Sequence, residues 1–417
     1  ATLVFVIGYL IIWHLSDSSR RRGFLVLSVG FCLAVLGYFK YFNFFLDSAA
    51  SMLGFLGLRP DWPTLNIILP VGISFYTFQS LGYVIDVYRG QGRVCRDFLT
   101  FAVFDAFFPQ MVAGPIERGR QLIPQLETDL KFQGDFLHEG LIRILVGFFK
   151  KIYVADNCAL LANYVFDPAT ALNGYWALIG ALAFAFQIYG DFSGYTDIAR
   201  GTAKILGVEL VQNFNSPYTA RNPSEFWARW HISLSSWFRD YVYISLGGNR
   251  GSNWQTVRNL MLTMLLAGLW HGASWVFVFW GAYHGVLLLA YRFGPLQGLN
   301  RKHYESRWLA WPAAAVMGLL TLVGWAIFRS PDLGHFWVWL TAWGHWGPVA
   351  LPWQSSWWWL VWHIGPLLLL QVLTARFADE TRLLHLPMPG RALLYVACIL
   401  LIVSSTAHEA EFIYFQF

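Results

Sequence analysis

The chain has 417 residues, of which 56% are hydrophobic, 18% are aromatic and only 13% are charged, and its formal net charge is +5. Because soluble globular domains usually carry about 25% charged residues, this composition argues against a soluble protein and for one membrane body. The positive charges are few and lie between hydrophobic runs, which argues against a basic nucleic-acid-binding face and is typical of cytoplasmic loops enriched in Lys and Arg.

Predicted helices follow one another along the whole chain. A membrane-spanning helix needs roughly 20 mostly apolar residues, and stretches near that length cover residues 24–46, 65–88, 98–113, 139–161, 172–190, 256–274, 275–293, 308–328, 333–347, 355–375 and 391–408. Those that are short or polar are expected to be tilted or re-entrant and buried by protein. We therefore predict an all-α, polytopic integral membrane protein in which residues 1–417 form a single membrane domain.

Basic residues orient these predicted helices. The first apolar stretch, residues 1–15, is short for a span and is followed by three arginines at 20–22. We expect it to be the tail of a helix whose start is missing, with the arginines in the cytoplasm. Basic residues also follow the 65–88 span and occupy the 293–308 loop. Because cytoplasmic loops are enriched in Lys and Arg, we place the 293–308 loop in the cytoplasm.

The motif MVAGPIERGR, residues 111–120, is predicted to be a turn at the end of a helix. Its proline fixes the backbone and cannot continue a helix. Glu117, Arg118 and Arg120 are therefore expected to emerge at the membrane interface.

Residues 191–254 differ from the rest of the chain. They are rich in Asp, Arg, Asn, Gly and Pro, yet they are too aromatic for a disordered loop. We expect short helices that line a cavity inside the bundle, where polar backbone is tolerated at membrane depth. Asp191 and Asp197 could mark an ion or proton path, or Asp197 could pair with Arg200. The glycines around them indicate close helix packing.

The stretch 225–251 places charges among aromatic rings, so its charged side chains should be paired. They include Glu225, Arg229, His231, Arg239, Asp240 and Arg250. For Arg229, Arg239 and Asp240, a salt-bridged structural core is as well supported as a functional role. His231 could position a carbonyl or a leaving group, and a basic residue here could bind the phosphates of a cofactor. The candidate cofactor-binding residues are Arg239, Asn249 and Trp270.

The motif GLWHGAS, residues 268–274, carries the sharpest signal for chemistry. His271 lies in a long run without charged side chains, and a titratable group at membrane depth is functional by default. Its imidazole can accept a proton near neutral pH, and Gly268 and Gly272 would let a substrate or a helix approach closely. A core histidine hydrogen-bonded to a carbonyl is the alternative. His284, thirteen residues later, would lie near a whole number of turns if the helix is unbroken and is expected to play a supporting role.

The terminal segment EFIYFQF, residues 411–417, is predicted to dock into the body, carrying the hydroxyl of Tyr414 with it. Interfacial anchoring by its aromatic rings is the alternative. The chain has no P-loop, dinucleotide fingerprint, GxSxG elbow or zinc-ligand spacing, so no metal site is predicted.

Several long motifs occur in one order along the chain and resemble the membrane-bound O-acyltransferase (MBOAT) family. They are LPVGISFYTFQSLGYVIDVYRG (69–90), FFPQMVAGPIERGRQLIPQL (107–126), GDFSGYTDIARG (190–201), NFNSPYTARNPSEFWARWHISLSSWFRDYVYISLGGNRG (213–251), GLWHGASW (268–275) and FIYFQF (412–417). The similarity is closest to the bacterial branch that O-acetylates polysaccharides such as alginate or peptidoglycan. The D-alanyl transfer protein of teichoic acid synthesis is a more distant relative.

The resemblance implies a ring of tilted transmembrane and re-entrant helices around a central tunnel. His271 matches the family's catalytic histidine, and His231 matches its second characteristic histidine. Bacterial members take an acyl group from a cytoplasmic donor, here expected to be acetyl-CoA, across the inner membrane. A partner of the SGNH-hydrolase type then esterifies the polysaccharide. The terminal motif resembles one whose tyrosine accepts the acyl group, which makes Tyr414 a candidate relay. No permanently bound cofactor is implied.

These expectations combine into one mechanism with open alternatives. Neutral His271 would act as general base on the hydroxyl of Tyr414 while His231, with help from Arg239 or Asn249, orients the thioester. A covalent acetyl-imidazole is a less favoured variant. One alternative from another class is a transporter or flippase for a lipid-linked glycan, and another is a scaffold whose aromatic terminus recruits an enzyme. A family member that acts on a lipid or another acyl acceptor is a further alternative.

Overall fold

The computed structural model describes residues 21–58, 62, 65, 67, 69–128, 133–294, 307–347, 357–374, 386–405 and 412–413. Regular structure in these residues is helical throughout. The α-helices are α1 (Arg21–Phe55), α2 (Ile73–Tyr88), α3 (Phe98–Asp105), α4 (Gly119–Leu126), α5 (Gly134–Phe148), α6 (Asp156–Val165), α7 (Gly174–Ile205), α8 (Pro223–Trp227), α9 (Ile232–Trp237), α10 (Asn253–His271), α11 (Trp275–Phe293), α12 (Arg307–Arg329), α13 (Leu333–Ala342), α14 (Trp357–Thr374) and α15 (Met388–Val403). The predicted helix tail at residues 1–15 and Tyr414 lie outside the described residues.

Several of these helices have the length and apolarity of membrane spans. Across the described ranges, the four that meet both criteria are Arg21–Phe55, Gly174–Ile205, Trp275–Phe293 and Ala310–Arg329. Shorter apolar helices are Phe98–Gln110, Trp357–Leu373 and Met388–Val403. The all-α architecture of a polytopic membrane protein, predicted from the apolar runs, is confirmed.

Helix α7 is the buried axis of the molecule and is longer than predicted. The sequence indicated a span over 172–190, but the helix continues to Ile205, and its 32 residues extend about 48 Å. In its most apolar window, 83% of the residues are buried. Asp191 and Asp197 do not end the helix, because lysines of the neighbouring chain segment neutralise both carboxylates at membrane depth.

The glycines of α7 allow it to pack closely against α5, as predicted. A Cβ atom added at Gly194 would lie 2.7 Å from the carbonyl oxygen of Gly147, and one added at Gly201 would lie 2.6 Å from that of Gly140. Any larger residue would therefore push the two backbones apart. This contact fixes the position of α5 and of the turn that follows it.

Three helical segments within the described residues have π geometry, in which an extra residue widens the turn and redirects side chains. They are Gly37–Tyr41 within α1, Phe149–Ala155 between α5 and α6, and Phe238–Tyr243 after α9. Each carries at least one basic residue, namely Lys40, Lys150 with Lys151, and Arg239. Because π turns frequently occur at functional sites, these basic residues are candidates for functional roles.

The segment after α3 folds inward, and two predictions for it are wrong. The helix ends at Asp105, well short of the predicted 98–113 span, and a 3₁₀ turn over Phe108–Gln110 follows. Glu117 and Arg118 are buried instead of interfacial. Glu117 accepts a hydrogen bond from the backbone N–H of Val211, and Arg118 pairs with Asp240. Because these partners come from later in the chain and pack against this turn, both charged side chains are buried with them.

Candidate active site

His271 is the last residue of α10, and the chain turns back immediately after it. Gly272 adopts extended backbone angles (φ −161°, ψ 151°), and the side chain of Ser274 caps α11 by accepting from the N–H of Val276. The helix is therefore broken between His271 and His284, in agreement with the separate predicted spans 256–274 and 275–293, and the spacing argument that assumed an unbroken helix does not apply. The two histidines lie on successive helices that run in opposite directions.

The absence of a side chain at Gly268 allows the two helices of this hairpin to pack closely and does not open space for a substrate. A side chain at Gly268 would collide with the carbonyl oxygen of Phe277, and one at Gly281 would collide with that of Met264. The space beside Gly272 is filled by the ring of Phe277. The absence of side chains thus lets α10 and α11 touch backbone to backbone and holds His271 rigidly.

Aromatic rings enclose the imidazole of His271, which is 7% exposed. The rings of Trp270 and Trp280 lie 5.0 Å away between centroids and that of Phe328 lies 5.2 Å away, all edge to face. His284 lies on the other side of Trp280, at 4.7 Å. A rigid ring cage of this kind fixes the orientation of the imidazole while excluding most water.

Two cavities nevertheless reach His271. The first has a volume of about 290 Å³ and follows α10 from His271 back to Leu260, and α11 towards Arg292. Leu260 and His271 are separated by about 16 Å along the helix axis. Arg239 also lines this first cavity. Its far end therefore carries two guanidinium groups, and its near end carries the imidazole.

The second cavity has a volume of about 190 Å³ and leaves His271 in the opposite direction. From α10 only Trp270 and His271 line it, and the other lining residues are Lys40, Leu69, Pro70, Val71, Gly72, Ile73, Ser74, Phe75 and Val112. Because α10 ends at His271, a cavity that touches only its last two residues lies beyond the helix end. His271 is thus reached from both sides.

Lys40 is a residue of this site that sequence reasoning missed. Its ammonium donates to the carbonyl oxygens of Trp270 at 2.5 Å and His271 at 3.4 Å, and to the hydroxyl of Ser74 at 3.4 Å. Tyr41 donates to the carbonyl of Leu269 at 3.1 Å. The available signal was a lysine inside the apolar 24–46 stretch, since a charge at membrane depth indicates function as much as a histidine does.

His231 is fully buried and packed against the same group of rings. Its ring lies 4.6 Å from that of Phe192 and 5.9 Å from that of Trp270, so Trp270 lies between the two histidines. Neither ring nitrogen has a hydrogen-bond partner among the described residues. The backbone is left-handed at φ 41°, a conformation uncommon for a residue with a side chain. His231 lines neither of the two cavities.

The three candidate cofactor-binding residues separate in space. Arg239 lines the first cavity and pairs with Asp240 at 2.8 Å, Trp270 lines the second, and Asn249 is exposed and lines neither. The prediction that the charges of 225–251 are paired is confirmed for Arg239, Asp240, Glu225 and Arg229.

The two carboxylates of α7 lie away from both cavities and form buried ion pairs. Asp197 pairs with Lys150 at 2.6 Å, and Asp191 pairs with Lys151 at 3.0 Å. The second oxygen of Asp191 accepts from the backbone N–H of Ile413 at 2.7 Å. This contact anchors the residue immediately before Tyr414.

The terminal segment packs into the body at residues 412–413, as predicted. Ile413 is fully buried, and the ring of Phe412 lies 5.1 Å from that of Tyr195 on α7. The hydroxyl of Tyr195 is hydrogen-bonded to the backbone of Val112, and Val112 lines the second cavity. The described end of the chain is therefore one side-chain layer away from that cavity.

Comparison with known proteins identifies a family match and several relatives. The family model of MBOAT, the membrane-bound O-acyltransferase family, matches residues 93–322. The probable alginate O-acetylase of Azotobacter vinelandii is 46% identical over 325 residues, which are 77% of this chain and 62% of that protein.

Two further relatives are more distant. The peptidoglycan O-acetyltransferase of Helicobacter pylori is 36% identical over 345 residues, covering 76% of this chain and 63% of that protein. The teichoic acid D-alanyltransferase of Bacillus subtilis is 30% identical over 297 residues, covering 66% of this chain and 73% of that protein. The chain thus spans about three fifths of the length of the alginate and peptidoglycan relatives.

Proposed function

This chain belongs to the membrane-bound O-acyltransferase family, and we propose that it passes an acetyl group from cytoplasmic acetyl-CoA across the bacterial inner membrane for O-acetylation of an extracytoplasmic polysaccharide. One observation carries the proposal: His271 lines two cavities that leave it in opposite directions. A donor that enters through the first cavity and an acceptor hydroxyl that enters through the second would meet at one imidazole.

The charges flanking the helices support this direction of transfer. α11 ends at Phe293, and the basic residues of the following loop favour the cytoplasm. α2 also ends beside basic residues, Arg89 and Arg93, while its N-terminal end lines the second cavity. Both helices thus give the same orientation, with the first cavity opening towards the cytoplasm and the second towards the outside.

The shape and charge of the first cavity support acetyl-CoA as the donor. A volume of about 290 Å³ is at the small end of ligand sites, which suits the narrow pantetheine arm and leaves the nucleotide outside. Arg239 and Arg292 lie at the end far from His271, where guanidinium groups would bind the phosphates. The thioester would then lie at the imidazole.

The chemistry proposed at His271 is general-base catalysis of acyl transfer. Neutral imidazole takes the proton of the acceptor hydroxyl while the hydroxyl oxygen attacks the thioester carbonyl carbon. The tetrahedral intermediate collapses and the carbon–sulfur bond breaks. The thiolate leaves while His271 holds the proton taken from the acceptor hydroxyl. A base of matched pKa contributes about 10²–10⁴-fold to the rate. His231 acts through Trp270, which contacts both imidazoles, to hold His271 in place.

Tyr414 is proposed as the first acceptor. Two observations support it: Asp191 anchors the backbone of Ile413, and the neighbouring Phe412 packs on Tyr195 beside a residue of the second cavity. A tyrosyl ester formed there would be passed to the serine of an SGNH-type partner, which would acetylate the polysaccharide. Only the acetyl group would cross, so the charged cofactor would avoid the high energy of entering hydrocarbon.

The test is acetyl transfer by protein in oriented proteoliposomes supplied with labelled acetyl-CoA on the cytoplasmic side. We expect free CoA thiol on that side and labelled acetyl on the peptide that follows Glu411, detected by intact mass. Tyr414→Phe should abolish the peptide label.

Two outcomes would contradict the proposal at different levels. An unchanged peptide label in Tyr414→Phe would remove Tyr414 as carrier and leave the transferase intact. Movement of a lipid-linked glycan without any thiol release would replace the transferase with a transporter.

A further inference from the structure

Lys40 is the cation of the second cavity. Among the residues that line this cavity, Lys40 supplies the only ammonium or guanidinium group. It also lines a neighbouring groove of about 800 Å³ between α1 and the start of α11, which contains Asn43, Asp47, Ser274 and Trp275. Lys40 therefore lies where the groove and the second cavity meet, next to His271.

The local backbone aims this ammonium inward. Lys40 lies in the π turn Gly37–Tyr41 of a helix that is long and apolar enough to span a membrane, and the widened turn directs its side chain to the end of α10. Its hydrogen-bond acceptors in the described part of the chain are the carbonyls of Trp270 and His271 and the hydroxyl of Ser74. Only the contact with Trp270 is short, at 2.5 Å. The two at 3.4 Å are at the long limit of hydrogen bonds and can be exchanged for a stronger acceptor.

Capping of α10 does not by itself explain a lysine here. The last carbonyls of a helix lack partners within the helix, and neutral donors can satisfy them, as the hydroxyl of Tyr41 does for Leu269. A charge placed in a membrane span is unfavourable and is retained where it has a function. The position beside His271 and inside the acceptor-side cavity identifies that function as charge stabilisation.

We propose that the Lys40 ammonium, assisted by the Ser74 hydroxyl, binds the oxyanion that forms on the acyl carbonyl during transfer. The inference rests on the proposed function. When the acceptor oxygen attacks, the carbonyl π electrons move to oxygen and the acceptor proton moves to His271. Lys40 stays protonated and donates a hydrogen bond to the new oxyanion. The carbonyl re-forms as the carbon–sulfur bond breaks, and His271 returns its proton to the thiolate.

The adjacent tyrosine provides a matched control. Tyr41 lies in the same π turn and caps the same end of α10, but it carries no charge and lines neither the second cavity nor the groove. Lys40→Met removes the charge and keeps the length of the side chain, Lys40→Arg keeps the charge, and Tyr41→Phe removes only a capping hydrogen bond. All three are compared with wild type for thermal unfolding in detergent, and for kcat and KM of thiol release from acetyl-CoA in the presence of the SGNH-type partner, whose serine removes the acetyl group from Tyr414 after each cycle.

Loss of an oxyanion donor typically lowers kcat about 10²–10³-fold. We expect that loss for Lys40→Met with the KM for acetyl-CoA unchanged, because the donor cavity does not include Lys40. Lys40→Arg should recover at least a tenth of the wild-type kcat, and Tyr41→Phe should keep kcat within about threefold.

Other outcomes would overturn the inference. Equal kcat losses in Lys40→Met and Tyr41→Phe, with equal drops in melting temperature, would make Lys40 a helix cap. Near-wild-type turnover by Lys40→Met would leave it no role in the reaction. His271→Gln is assayed in parallel to separate the two proposals: if that variant turns over normally, the proposed function fails whatever Lys40 does. If it is inactive while Lys40→Met is active, only the role of Lys40 fails.

Discussion

The ion pair between Asp191 and Lys151 offers a sharp test of how the terminal segment is held. Asp191→Asn keeps the shape of the side chain but changes the acceptor for the Ile413 N–H from a carboxylate to an amide. Hydrogen bonds to charged groups contribute about 1.5–3 kcal/mol and neutral ones about 0.5–1.5 kcal/mol. The difference of about 1–1.5 kcal/mol lowers the equilibrium constant between the docked and undocked segment by roughly fivefold to tenfold. Lys151 keeps the carboxylate of Asp156 at 2.8 Å, so global stability should fall little.

Asp197→Asn is the matched control on the same helix. It removes the carboxylate that pairs with Lys150, whose side chain is 2% exposed, and breaking a buried ion pair costs about 3–5 kcal/mol of folding stability. The carboxylate that accepts from the Ile413 N–H is that of Asp191 and not that of Asp197. We therefore expect Asp197→Asn to lower the melting temperature more than Asp191→Asn, while the fraction that remains folded acetylates the terminal peptide normally.

The assay combines both readouts on one sample: thermal unfolding in detergent and the intact-mass ratio of acetylated to free terminal peptide, normalised to folded protein. Asp191→Asn should lower the acetyl signal, by at most about tenfold, with a small change in melting temperature. Equal acetyl loss in the two variants, or a loss only in Asp197→Asn, would refute the role of Asp191 as the anchor of residue 413.

Three further substitutions probe the cavities and the second histidine. Arg239→Gln should raise the KM for acetyl-CoA about threefold to tenfold without changing kcat, since one charge-assisted contact to phosphate is lost far from the reacting carbon. Substitution of the exposed Arg250 by Gln is the control. Equal effects of the two substitutions on the KM would contradict phosphate binding by Arg239. Ala267→Phe should fill the first cavity and stop thiol release, while a well-folded variant with normal release would show that the donor takes another route. His231→Phe should keep the ring packing on Phe192 yet slow thiol release at least tenfold, and a wild-type rate would give His231 a purely packing role.

The sequence allowed His271 to be found because its signal is local. A single titratable side chain in an apolar run is visible without any knowledge of the fold, and the flanking glycines indicated close contact. Their purpose was only half predicted: Gly268 admits the neighbouring helix α11 and not a substrate. The predicted spans 256–274 and 275–293 divide the chain near this point, but the end of the helix at His271 itself depends on Gly272 being extended, which hydropathy does not report.

Features that depend on distant partners could not be predicted. Lys40 contacts the end of a helix 230 residues later in the chain. Glu117 is buried because its carboxylate accepts a hydrogen bond from the backbone N–H of Val211, which lies much later in the chain. Lys40 was visible as a charge inside an apolar stretch and Glu117 as a member of a turn, but the sequence did not indicate the partner of either residue. The polar part of α7 looked like the end of a span for the same reason, since the lysines that neutralise it lie on another segment. Charge in an apolar run predicts function reliably, but its partner does not follow from the run itself.

We propose that one imidazole, that of His271, is reached from two sides and is the base of acyl transfer. The most direct test is the rate of CoA thiol release on the cytoplasmic side of proteoliposomes containing wild-type or His271→Gln protein, matched for insertion and melting temperature. We expect the rate in His271→Gln to fall at least about 10²-fold, because a general base is lost. Thiol release at the wild-type rate by the folded His271→Gln variant would contradict it.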